Sequence, residues 1–311
     1  MVFKLKTLTP IWTGNVEMKC DRLHETGIIG SIRWWYEALV RGLDGYACDP
    51  TDGEGCQFDT KSFQKTGDLE AELQKICPAC QMFGCTGWGK KMRWIIDDST
   101  MKNEGNKGRI GHFTIEGIEV KHLKDEELWL LYSVFHIINV YGTIGGKCML
   151  KPSTNRDRGH YCDDRGKVTV DFGDFKKPSV NKKTIKDFFS KQKKEMENNG
   201  SKTKTEWPNL KRFFFSPEEA LDAAKYKQLF DLCPYRYKKF LKGNKGDREN
   251  AAQANKIASF KNFGLPPNSK QKKFWGYTED ENEMYDAVKK KLTVDLELKK
   301  IKTGEEVIDE L

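Results

Sequence analysis

The sequence predicts an α+β fold, and three observations predict it. Residues 25–45 and 124–141 carry the 3.6-residue apolar period of amphipathic helices. Residues 2–8, 91–97 and 110–120 alternate apolar and polar side chains, as half-buried strands do. Along the chain these segments run strand, helix, strand, strand, helix, and then enter a glycine-rich loop. That order fits a ferredoxin-like sandwich, with helices on one face of an antiparallel sheet.

Composition bounds what such a chain can be. Its 311 residues suffice for one large or two medium domains with a real core. An aromatic content of 12% sets it apart from disordered chains, although 32% of it is charged. No apolar run approaches the roughly 20 residues that span a bilayer. The first residues, MVFKLKTLTP, lack the apolar core of a signal peptide. A cytoplasmic protein with no membrane contact is therefore expected, with its nine cysteines as thiols or metal ligands rather than disulfides.

The elements follow in order. Phe3 and Leu5 lie on one face of the first strand, which Thr9-Pro10 ends. Val16 to Met18 is expected as a short second strand. Asp21 to Glu25 leads into the central helix, whose apolar face is Ile29, Ile32, Tyr36, Leu39 and Leu43, widened by Trp35 and Val40. Arg33, Glu37 and Arg41 lie at i, i+4 and i+8 on the opposite, polar side, a spacing that supports the helix through ion pairs. Gly27 and Gly30 stand at its start, where glycine admits a close backbone and free N–H groups favour an anion. This entrance, with Arg33 one turn in, can hold a nucleic-acid backbone; the competing reading is a core helix with a solvated arginine.

A helix is expected over 67–76 and an irregular cysteine- and glycine-rich stretch over 77–89. Strands follow at 91–97 and 110–120. The second long helix, 124–141, has Asp125, Glu126 and Glu127 at its start, where the helix dipole favours them. Gly142 ends it. Beyond lies Gly142-Thr-Ile-Gly-Gly146 followed by Lys147. The second half predicts a strand at 168–172, helices at 182–198, 217–232, 251–260 and 279–291, a strand at 272–277 and a final alternating strand at 292–301. This repetition allows a second, degenerate ferredoxin-like unit. The expected units are residues 1–150, with a cysteine-rich insertion at 46–89, and 151–311, the two packed as one body.

Cys77-Pro-Ala-Cys80 is a C-x-x-C knuckle, with Cys48 and Cys56 upstream. Two cysteine pairs can close a tetrahedral site of four thiolates around zinc, a structural rather than catalytic arrangement because no position stays open for water. Cys85, a fifth cysteine, leaves the ligand set open.

Net charge is +8, but residues 176–212 carry +8 and residues 236–273 carry +9, so the remainder is acidic. Two basic segments on an acidic body point to a polyanion contact. Phe213 to Phe215 and Phe274-Trp275 beside them favour RNA. Catalytic constellations are sparse. His24, near Lys19 and Arg22, can serve as a general base in metal-independent RNA cleavage. Asp97-Asp98 and Asp163-Asp164 read as turn residues, His136 as a core residue, and there is no G-x-x-x-x-G-K-[ST] loop.

LTPIWTG, GIIGSIRWWYEALVRGLDGYACDP, CPACQMFGCTGWGKKMRW and YGTIGGK together resemble subunit one of the Cmr effector complex of type III-B CRISPR systems, in the RAMP superfamily. The likeness covers roughly the first half. It implies two ferredoxin-like domains and a place near the 3′ end of the guide RNA, capping the complex. It implies an RNA-binding subunit that is not the nuclease, with guide RNA, target RNA and other Cmr subunits as partners. Carried onto this chain, Arg33 and the glycine-rich helix entrance would touch RNA backbone. The loop Gly142 to Lys147 matches the superfamily's glycine-rich loop, and the cysteines match a region that holds zinc in some relatives. CMLKPSTNRDRGHYC, after Gly146-Lys147, departs from the family pattern, and the aromatic signatures of ordinary RNA-recognition motifs are missing, so base stacking is not implied. The residues expected to bind RNA are thus Lys19, Arg22, Gly27, Gly30, Arg33, Gly145, Gly146 and Lys147, and those expected to bind metal are Cys48, Cys56, Cys77 and Cys80. The chain is expected to be non-catalytic; the alternative is a guide-processing endoribonuclease using His24.

Overall fold

The computed structural model describes residues 1–17, 19–49, 55–146, 148, 165–198, 208–219, 221, 223–231, 235–242, 261–263, 273–279 and 282–311. Strand β1 (Val2–Thr7) runs through a loop to helix α1 (Glu25–Gly42). Three short helices, α2 (Thr60–Thr66), α3 (Leu69–Leu73) and α4 (Pro78–Phe83), occupy the cysteine-rich stretch. Then come β2 (Met92–Asp97), a small ribbon of β3 (Lys102–Asn103) and β4 (Arg109–Ile110), β5 (His112–Glu119), helix α5 (Asp125–Val140) and β6 (Val168–Asp171). The first sheet has the spatial order β2-β5-β1-β6, with every neighbour antiparallel. Its fourth strand comes from beyond residue 150, past the expected unit boundary.

Alternation builds this sheet as the sequence requires. Phe3, Leu5, Met92, Trp94, Phe113 and Ile115 point inward, and Phe3 stacks on Phe135 of α5 with ring centroids 3.7 Å apart. Lys4, Lys6, Arg93 and Glu116 point out. The outward face of these three strands carries no Phe, Tyr or Trp; its one ring is His112 of β5, exposed opposite Lys6, so it lacks the multi-ring platform on which RNA-recognition sheets stack bases.

After helix α6 (Lys182–Asn198) and a single 3₁₀ turn, Leu210–Arg212, the element order repeats. Strand β7 (Phe213–Ser216) precedes helices α7 (Ala223–Asp231) and α8 (Tyr235–Lys242). Strands β8 (Lys261–Phe263) and β9 (Lys273–Tyr277), helix α9 (Asn282–Lys290), β10 (Lys302–Thr303) and helix α10 (Gly304–Glu310) complete it. The second sheet runs β10-β7-β9-β8, again antiparallel throughout. Numbered within each sheet's own chain order, both read 4-1-3-2.

Strands β7 and β9 are buried on both faces, which is why they read as unbroken apolar runs. Phe213, Phe215, Trp275 and Tyr277 face Trp34 and Trp35 of α1. Phe214 and Phe274 join Met284, Tyr285 and Val288 of α9 in a second cluster. The aromatics expected to interleave with a basic RNA surface are therefore core, packed against Trp34 and Trp35.

Helix α1 is thus covered on more than one side. Trp35 through Gly42 are all buried, so Glu37 and Arg41, expected on a solvated face, are 4% and 5% exposed. Other expectations also change. Val16 and Glu17 form a turn, not a strand, and Met18 lies outside the described residues. The 77–89 stretch contains α4 because Pro78 sits at its first position and Cys77 caps it. The alternation of 292–301 is not a strand: Lys291–Asp295 extends α9 as a π-helical turn that buries Leu292, and Leu296 and Leu298 then pack in the second cluster. The helix expected at 251–260 and the loop residue Lys147 lie outside the described residues.

Candidate metal centre and helix entrance

The centre forms where α1 ends. Arg41 donates to the carbonyls of Ala47 at 2.9 Å, Cys48 at 3.0 Å and Pro208 at 3.0 Å, folding the loop after α1 back on the helix and fixing Cys48. Cys77 caps α4: its Sγ accepts the N–H of Cys80 at 3.4 Å, and its own N–H donates to Cys56 Sγ at 3.3 Å. These backbone bonds gather four sulfurs. Cys48, Cys56, Cys77 and Cys80 have Sγ atoms within 4.8 Å of one another, with Cys48 to Cys80 at 3.4 Å and Cys48 to Cys77 at 3.7 Å. A tetrahedron with zinc–sulfur bonds of about 2.3 Å has sulfurs about 3.8 Å apart. The donor set and its dimensions fit a four-thiolate metal site.

Electrostatics agree. Hydrogen bonds from Cys56, Cys77 and Cys80 pull the Cys48 thiol far down. The thiols that serve Cys48 are pushed up, Cys56 and Cys80 chiefly by that sharing and Cys77 chiefly by burial. A divalent cation would let all four ionise. Cys85 lies outside the foursome, and its thiol is lowered mainly by a hydrogen bond with Cys80. An open cavity of about 240 Å³ borders the centre, lined in part by Arg33, Cys56, Cys80 and Cys85.

Arg33 turns toward this centre. Its Nε donates to Glu37 Oε1 at 2.7 Å, one terminal nitrogen to the Gly84 carbonyl at 3.1 Å and the other to Cys80 Sγ at 3.4 Å. Burial works against its charge, but the Glu37 bond and the thiols hold the guanidinium firmly protonated. Burial pushes the Glu37 carboxyl up to about 7 against the pull of Arg33 and Arg41.

The other expected RNA contacts meet at the start of α1. Thr13 packs on Gly27, where an added Cβ would sit 3.0 Å from Thr13 Cγ2. Gly145 N–H donates to Ser31 Oγ at 3.1 Å, and Gly146 N–H to the Trp12 carbonyl at 2.8 Å. Gly145 has φ +89, and a side chain there would strike Ile11 and the Trp12 carbonyl. The glycine-rich loop and the helix entrance are therefore adjacent, joined through residues 12, 13 and 31. Lys19 is exposed and paired with Glu17 at 2.8 Å, Arg22 is exposed, and Gly30 faces open space. His24 Nε2 lies 2.7 Å from Asp21 Oδ1, a bond that lowers the Asp21 carboxyl. Asp98 accepts the Leu23 N–H at 2.8 Å and pairs with Arg109, a turn-stabilising role. His136 sits half-buried in α5, where burial lowers it. Asp163, Asp164 and His160 lie outside the described residues.

A family model of the RAMP superfamily matches residues 4–295. The chain belongs to the RAMP superfamily. A crystal structure of Cmr1 from Pyrococcus furiosus, in its apo form, is similar at 10% identity and TM-score 0.42, covering 97% of this chain and 98% of that one. No curated protein matches. No helix among the described residues of this RAMP protein is long and apolar enough to cross a membrane. Sequence reasoning about it chose the four sulfurs the fold gathers but missed Glu37 and Arg41 as buried neighbours of the site. The signal was present in the i, i+4, i+8 spacing; what hid it was the cover of that side of α1 by the cysteine loop and the segment at Pro208.

Proposed function

We propose that this RAMP protein is a non-catalytic, RNA-binding subunit of a type III-B CRISPR (Cmr) effector ribonucleoprotein, in the place of subunit one near the guide 3′ end. Guide RNA, target RNA and other Cmr subunits are its partners, and a structural zinc ion holds its cysteine centre. The observation that carries this reading is the block GIIGSIRWW followed by CPACQMFG, inside a superfamily match of residues 4–295. The 4-1-3-2 order of both sheets supports it, because that is the order of a ferredoxin-like unit.

Backbone contact, not base readout, suits the surface described. Lys19 and Arg22 stand exposed beside Gly27 and Gly30 at the α1 entrance, next to the loop of Gly145 and Gly146. Phosphate neutralisation there releases counterions, so affinity falls steeply with salt. Fluorescence anisotropy of labelled single-stranded RNA tests this. The double variant Lys19→Glu, Arg22→Glu should weaken binding at least about tenfold and flatten the salt slope by about 1.4, two phosphates' worth for a single strand. Unchanged affinity and slope refute the RNA surface, and weak, salt-insensitive binding by the wild type favours a purely protein-assembling module. For zinc, elemental analysis after dialysis should give about one equivalent, because structural zinc binds too tightly to dialyse away.

One observation favours a second reading. The Asp21 bond orients the His24 ring as a general base would need. Cleavage of repeat RNA in EDTA, lost in His24→Ala, would establish an endoribonuclease in place of the binding-only subunit.

A further inference from the structure

We infer that Arg33 belongs to the metal centre, as the cation that compensates its thiolates, and does not grip a phosphate. This inference rests on the reading of the cysteine cluster as a metal site. Arg33 was expected at the helix entrance as an RNA contact; its position about two turns into α1 instead carries it over Cys80.

The argument begins with geometry. Each nitrogen of the guanidinium has a partner inside the protein: Glu37 at 2.7 Å, the Gly84 carbonyl at 3.1 Å and Cys80 Sγ at 3.4 Å. The side chain is 18% exposed. A phosphate arriving from solvent would have to break the Glu37 ion pair or the sulfur contact. The planar fork of arginine fits these three divergent acceptors, and the ammonium of lysine does not.

Charge supplies the reason. Four thiolates around a divalent ion carry a net charge of −2 in a site where Cys48, Cys77 and Cys80 are buried. A buried charge is costly unless it is paired and hydrogen-bonded. Arg33 meets Cys80 directly. Arg41 lies about two turns on, held against the Cys48 carbonyl at 3.0 Å. Glu37 sits between the two arginines and bonds Arg33, setting the rotamer that aims the guanidinium at sulfur. The bond to Gly84 also fixes the residue just before Cys85, which seats the fifth thiol beside Cys80 and outside the ligand set. Arg33 is thus a positioning and charge-compensating residue of the outer coordination sphere, where loss of one partner typically lowers metal affinity about 10–100-fold.

The test uses the full chain and zinc or cobalt alone. Wild type, Arg33→Met and Arg33→Lys are loaded with Zn²⁺ and titrated with a chromophoric chelator, and each is loaded with Co²⁺ for its thiolate-to-metal absorption. Arg33→Met should give up zinc at chelator concentrations about 10–100-fold lower than wild type, and its cobalt band should shift because the N–H···S bond is gone. Arg33→Lys, charged but without the fork, should fall between. Equal zinc retention and an unshifted cobalt spectrum in Arg33→Met overturn the inference while leaving the metal site standing. Wild type without bound metal overturns both. If Arg33→Met does not accumulate folded, Arg33→Lys decides by the same two readouts: wild-type retention and spectrum count against the inference.

Discussion

Lys273 offers a prediction with a worked magnitude. It opens β9, is 1% exposed, and pairs through its backbone with Phe263 of β8. Burial, and then the neighbouring Lys167, push its ammonium from 10.5 down to about 7. Among the described residues no carboxylate pairs with it. The unfolded chain therefore holds this proton up to about pH 10.5, and the folded chain releases it near 7. Between those limits the unfolded state binds more protons, so folding stability rises with pH, by up to about 1.4 kcal/mol per pH unit. Below about pH 7 both states are protonated and the full penalty is present, at most about 5 kcal/mol over a window of about 3.5 pH units. Lys273→Met removes the penalty. Urea unfolding at pH 6.5, 8 and 9.5 should find the variant more stable than wild type by several kcal/mol at the lowest pH, with the gap closing toward the highest. Lys167→Met should narrow the window, because Lys273 then keeps its proton to higher pH. A gap that is the same at all three pH values, or that widens on raising pH, refutes the reasoning.

Three further outcomes test the packing. Lys91 Nζ lies 2.8 Å from both oxygens of the buried Glu127, tying the approach to β2 to the start of α5. Lys91→Met should cost about 3–5 kcal/mol by urea unfolding because it strands the carboxylate, and adding Glu127→Gln should recover more than half; a single-variant cost under about 1 kcal/mol would contradict a desolvated pair. Gly304→Ala would place a Cβ 1.6 Å from the Leu210 carbonyl, so a loss of at least about 3 kcal/mol is expected in thermal unfolding. Gly30→Ala meets nothing within 4 Å inside α1 and should instead stabilise by about 0.5–1 kcal/mol, while a fall in RNA affinity in that variant would mark backbone approach at the entrance.

What the sequence made legible follows from what local periodicity records. The first-sheet strands were readable because each buries one face, and α1 and α5 because one of their buried faces still recurs at the helical period; period 2 or 3.6 reports that one face and is silent about a second. Phe213 to Phe215 could not be placed that way. With α1 on one side and α9 on the other, the strand has no polar face, and a run of aromatics looks the same in a core as on a nucleic-acid platform. A different cover concealed Glu37 and Arg41, whose spacing suggested solvent: Arg41 bonds the carbonyls of residues 47, 48 and 208, and Glu37 pairs with Arg33 beside them. At 292–301 alternation misled in the other direction, since a π-helical turn buries Leu292 and leaves Val294 exposed before Leu296 and Leu298 pack, so the apolar alternation does not trace one buried face. The cysteines were legible because chemistry, not periodicity, singles them out.

One helix therefore answers to three neighbours, and that explains its composition better than amphipathicity does. The entrance of α1 is open and glycine-bearing because the loop of Gly145 and the chain at Trp12 and Thr13 must approach it. Its middle carries Trp34 and Trp35 because the second sheet's Phe213 and Trp275 close on them. From its middle to its end it also carries Arg33, Glu37 and Arg41, because the cysteine loop and the segment at Pro208 both need donors there. Arg41 bonds the carbonyls of Cys48 and Pro208 at once, so the loop that presents a metal ligand and the segment that leads into β7 are held by one buried cation. A change that loosens the centre should loosen the seating of the second sheet as well, and the two halves of this RAMP protein should not be separable by cutting near residue 150.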